Sequence, residues 1–150
     1  MMLIGDIWLE REVEDSRIAM AVAMALAVRQ VTVWPQNGVM DRGGDVIVQR
    51  DREPGDFPFH LAFTATPASG ITAMPDERFI HAVTEMAQAF GQSILTQLDG
   101  QHPGDFLIVT PSGCRVTVEL DEHAGDEGRI ELTQESRRRW ESVAAVATAG

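Results

Sequence analysis

Glu119, Asp121, Glu122, His123, Asp126 and Glu127 crowd six groups that bind cations or move protons into nine positions. Carboxylate oxygens suit Ca²⁺ and Mg²⁺, and the histidine would invite Zn²⁺. The spacing fits no loop of that kind. Counted from Asp121, an EF-hand would need Gly sixth and Glu twelfth, where this chain has Asp126 and Leu132. Gly125 and Gly128 between "VTVEL" and "RIEL" instead describe a hairpin loop whose acids stay in water, so no metal is expected there.

Other reactive residues are scattered. His81 and Glu85 stand four apart on one helical stretch, the spacing of a surface ion pair or of half a metal site, and the pair is favoured. Cys114 in "SGC" reads first as a small buried hydrophobe at a strand start and second as a nucleophile. His60, His81, His102 and His123 recur every 21 residues in unlike settings, a chance regularity without a hydrophobic pattern behind it. Arg137, Arg138 and Arg139 read as a helix surface paired with Glu135 and Glu141, and otherwise as a clamp for an anion. Trp8 and Trp34, at strand ends, are assigned to core packing ahead of binding.

Absences narrow the field. The chain contains no Lys and no Tyr, which removes the P-loop, the lysine Schiff base and the tyrosine acid; GxGxxG, GxSxG, HExxH and paired CxxC are also missing. No catalytic residue and no cofactor is expected. Carboxylate pairs of glycosidase type stay open, because their separation in space is not encoded locally.

Twenty-three acids against twelve bases give a net charge of −11, which repels nucleic acid phosphates and anionic lipid and attracts a basic protein. Solubility or a salty habitat would produce the same balance. One cysteine permits no internal disulfide, consistent with a reducing compartment. The longest apolar run, Ile18 to Val28, is about half of the ~20 residues a membrane span needs, and the acidic residues before it do not resemble a secretory leader. A cytoplasmic location is expected.

Hydrophobic residues at 44% and a length of 150 match one globular domain spanning 1–150. Strands are expected at 3–9, 31–34, 45–51, 57–66, 105–109 and 114–121, with a short one at "RIEL". A helix at 17–29, apolar on nearly every side, should be covered almost all round. A long helix follows Pro75, with Phe79, Ile80, Val83, Met86, Ala87, Phe90, Ile94 and Leu98 as one stripe and Gly100 at its end. Turns are marked by Asn37-Gly38 and Gly43-Gly44, and Thr133 caps a last helix from Gln134 to about Ala147 that buries Trp140, Val143, Ala144 and Ala147. "PGDF" recurs at 54–57 and 103–106, each before a strand, and is attributed to turn chemistry ahead of duplication.

The expected fold is α+β: a mainly antiparallel sheet of five to seven strands with about three helices on one face. The expected function is a non-enzymatic, acidic protein-binding domain, in concrete form an immunity or antitoxin-type inhibitor, that engages a basic partner protein and neither nucleic acid nor membrane. Asp51, Glu53, Asp56, Asp121, Glu122, Asp126 and Glu127 carry that contact. A small enzyme or ligand-binding protein using His60, Cys114 or acids gathered by folding is the first alternative, and a subunit of a larger assembly the second.

Overall fold

The computed structural model describes residues 1–34, 44–97 and 105–149. Readings that rest on Asn37-Gly38, Gly43, Leu98, Gly100, His102 and Pro103, and on the side chain of Ala147, lie outside what is described.

Seven strands, β1 (Met2–Leu9), β2 (Val31–Trp34), β3 (Val46–Arg52), β4 (Phe59–Ala65), β5 (Ile94–Thr96), β6 (Asp105–Val109) and β7 (Arg115–Glu119), form one sheet. Its order is β2-β3-β4-β1-β5-β6-β7, which puts the first strand in the middle. Only β2 with β3 is a parallel pair; the other neighbours are antiparallel. The helices are α1 (Asp15–Leu26), α2 (Asp76–Phe90), α3 (Glu122–Asp126) and α4 (Gln134–Ala149). This is the α+β, mostly antiparallel class expected. No helix among the described residues is long and apolar enough to cross a membrane.

Alternation along the strands builds two cores. Ile7, Leu9, Leu61, Phe63, Ile94 and Val109 face α1 and α2. Leu95, Ile108, Val116 and Val118 face the other way, where Phe57, Leu132 and Trp140 close over them. The placement of helices on one face therefore holds for α1 and α2, while α4 lies on the opposite face. Strands β5 and β6 are apolar on both sides and each side must be kept from water.

Four local readings are corrected. The long helix stops at Phe90, where Gly91 takes a left-handed conformation (φ 67°) and its N–H reaches the carbonyl of Ala87. Ile94 continues the helical stripe only by coincidence, because Ile94–Thr96 is a buried strand paired to β1 and β6. Helix α1 is not covered all round: it buries Ile18, Ala21, Val22 and Leu26 and leaves Met20 and Met24 67% and 76% exposed. "DEHAGD" is not a hairpin loop but the short helix α3, capped by Asp121, whose side chain accepts from the amide of Ala124 at 3.1 Å. "RIEL" contributes two isolated bridges, Gly55 with Ile130 and Leu120 with Leu132, and no strand.

The bridge at Gly55 forms a seam between the β3–β4 turn and the segment entering α4. Ile130 donates to the carbonyl of Pro54 at 2.9 Å, and Asp56 donates to that of Ile130 at 2.7 Å. A Cβ on Gly55 would lie 2.1 Å from the Ile130 carbonyl oxygen, and its φ of +132° already strains any other residue. Gly91 also has positive φ but open space around it. Gly55→Ala is therefore expected to cost at least about 2 kcal/mol and Gly91→Ala only about 1 kcal/mol, read from urea unfolding midpoints. Equal losses would show that the seam yields without cost.

Candidate functional site

The strand register gathers a histidine and three carboxylates on the sheet face turned away from α1 and α2. His60 on β4 stands opposite Asp51 on β3 and opposite Trp8 on β1, so the three form a row across the sheet. His60 Nε2 lies 2.9 Å from Asp6 Oδ1, and Nδ1 lies 3.4 Å from Glu53 Oε1. Trp8 stacks on the imidazole with ring centroids 4.8 Å apart and planes 16° from parallel. Its indole Nε1 donates to Glu53 Oε2 at 3.3 Å, which turns the other carboxylate oxygen toward the histidine. One ligand atom each from Asp51, Glu53 and His60 lies within 4.8 Å of the others, and no other group of three metal-ligating side chains forms among the described residues.

Each member is placed by ordinary strand logic. In β1, Ile7 and Leu9 face the core, which sends Asp6 and Trp8 to the other side. In β4, Phe59, Leu61 and Phe63 face the core, which sends His60 out beside them. Glu53 follows β3 immediately, and its amide donates to the carbonyl of Pro58 to close the turn at 2.8 Å.

The electrostatics of His60 are a contest. Burial favours its neutral form, but the hydrogen bond and charge of Asp6, with the charges of Glu53 and Asp51, prevail and raise its pKa above the ordinary 6.5. A raised folded value means that the imidazolium stabilises the fold. That contribution is fully present below the unfolded pKa and is lost as pH rises through the folded one. In an NMR titration the His60 ring should show a midpoint above 6.5, and Asp6→Asn should lower it. A wild-type midpoint below 6.5 would contradict the assignment of the carboxylates as the dominant influence.

The expected contact residues meet different fates. Asp51 is exposed and Glu53 half-buried against Trp8 and His60. Asp56 is largely engaged inside the fold, accepting from the amide of Leu132 at 2.9 Å and pairing with Arg137. Asp121 caps α3, and Glu127 pairs with Arg129. Glu122 and Asp126 are exposed on α3. The seam joins Pro54–Asp56 to Ile130–Leu132, the stretch that follows α3, although the two are far apart in sequence.

Elsewhere, His81 and Glu85 form the exposed surface pair at 3.4 Å. Cys114 is exposed, contrary to the buried reading, with Ser112 Oγ donating to its sulfur at 3.5 Å. Trp8 is only partly buried and belongs as much to the His60 cluster as to the second core. Arg139 pairs with Glu135 as a local helix pair, while Arg137 reaches Asp56 across the seam. A groove of about 300 Å³ is lined in part by Gln92, Ser93, Thr110 and Trp140, which hydrogen-bond within the fold, and by Glu10, whose carboxyl pKa is raised by burial. Gln92 bonds the backbone of Arg11 in both directions, and Ser93 accepts from Trp140. Sequence reasoning missed Asp6 and the partnership of Trp8 with His60. No family model, curated protein or solved structure matches this chain.

Proposed function

We propose that the protein is a non-enzymatic binding domain that docks a basic partner protein on the acidic ridge formed by the β3–β4 turn and α3. One observation supports the reading: the bridge between Gly55 and Ile130 ties the β3–β4 turn to the segment that follows α3. Asp51, Glu53, Glu122 and Asp126 are the contact groups. Asp56, Asp121 and Glu127, held by Arg137, the Ala124 amide and Arg129, fix the shape of the ridge. A field of one sign raises the encounter rate, and a few desolvated contacts supply specificity. In its concrete form the domain is an immunity or antitoxin-type inhibitor that covers the cationic active surface of a partner.

The test is capture from source lysate across a salt series, with wild type beside Asp51→Asn/Glu122→Gln/Asp126→Asn. A protein retained at low salt should be released as ionic strength rises, and the triple variant should bind it roughly tenfold more weakly through a slower on-rate. Retention that ignores both salt and the triple variant would end this reading.

A further inference from the structure

We infer that His60, Glu53 and Asp51 form a binding site for one divalent transition-metal ion of the Zn²⁺ type, with Asp6 as the positioning residue behind the histidine. Asp6 Oδ1 accepts from His60 Nε2 at 2.9 Å, which in the neutral ring places the proton on Nε2 and the free lone pair on Nδ1. Metal-ligating histidines carry this outer carboxylate, which fixes the tautomer and orients the ring.

Nδ1 itself is buried and has no hydrogen-bond partner. It faces Glu53 Oε1 at 3.4 Å; in the imidazolium a proton on Nδ1 lies between them, and in the neutral ring held through Nε2 a metal cation can take that proton's place. The separation is long for an N–H···O bond, which falls at about 2.7–3.2 Å. It matches two ligands on one ion, because bonds of roughly 2.0–2.2 Å at a tetrahedral angle span about 3.4 Å. Trp8 Nε1 holds the second oxygen of Glu53 and so aims the first. Asp51, exposed, brings a carboxylate oxygen within 4.8 Å of the other two ligand atoms and is the third ligand.

One imidazole and two carboxylates suit a borderline ion better than Mg²⁺ or Ca²⁺, and three protein ligands leave a fourth position for water. The second orphaned buried atom, Arg129 Nε, is cationic and offers no comparable site. The inference goes beyond the docking reading. The two share Asp51 and Glu53, but His60 and Asp6 belong to the metal site alone.

The experiment is titration of the chelator-stripped full chain with Zn²⁺ by calorimetry and with Co²⁺ by visible absorption. One ion per chain is expected, with His60 ring resonances shifted on loading and Mg²⁺ failing to compete. Asp51→Asn and His60→Asn should each weaken binding by at least about tenfold, and Asp6→Asn by roughly 10–100-fold through the outer shell. Circular dichroism identifies a variant that fails to fold, and Asp51→Asn, on an exposed residue, keeps the test decisive if His60→Asn does. Absence of Zn²⁺ binding, or affinity unchanged in Asp51→Asn, would overturn the site. His60→Asn should retain salt-dependent capture of the basic partner, so loss of metal binding and loss of docking are separable results.

Discussion

The seam between Pro54–Asp56 and Ile130–Leu132 is the constraint on which the second half of the molecule depends. Three hydrogen bonds cross it, two between backbones and one from the Leu132 amide to Asp56 Oδ2, and the Arg137–Asp56 pair extends it into α4. Phe57 leaves the seam fully buried and meets Trp140 with ring centroids 5.2 Å apart, so the same turn that joins the backbones also seats the aromatic centre of the second core. Burying a side chain such as Phe57 is worth roughly 1.5–3 kcal/mol. Removing one member of the Asp56–Arg137 pair would leave a carboxylate that is only 18% exposed without its cation.

The seam also explains how a chain with net charge −11 arranges its few bases. Arg137 and Arg129 sit on Asp56, Glu127 and Glu131, and Arg50 and Arg52 sit on Asp15 and Glu12. The Arg137, Arg50 and Arg52 pairs tie separate elements together, while Arg129 holds acids two residues to either side of it. Most are partly exposed and individually modest in energy, so their value lies in fixing where the unpaired acids stand. On the open sheet face neutralisation falls to His60, between Asp6 and Glu53.

Much of this was legible from one-dimensional pattern. Period-two alternation located β4 and β7, an apolar opening without a helix cap located β1, and turn residues located the hairpins, because those signals are local. The end of α2 was not, since Phe90 and Ile94 stand four apart and a buried strand is apolar regardless of period. Exposure of Met20 and Met24 escaped for a related reason: an apolar helix does not declare which side its neighbours leave bare. The alternation did place His60 on one side of β4, and the same period applied to β1 puts Asp6 and Trp8 on one side of that strand. Their meeting required knowing that β1 inserts between β4 and β5, a pairing that no short stretch of sequence specifies. The acidic segments were visible as charge, but which acids would be spent on caps and internal pairs depended on the path of the chain through Gly55 and Ile130.

Native-state hydrogen exchange tests the central claim most directly. If the seam fixes the two acidic segments and the α4 layer as one body, the amides of Asp56, Ile130 and Leu132 should be protected to about the same free energy as that of Ile7 in the middle of the sheet. Exchange at those three positions orders of magnitude faster than at Ile7 would show a segment that opens on its own, and the account of a single fixed ridge would be contradicted.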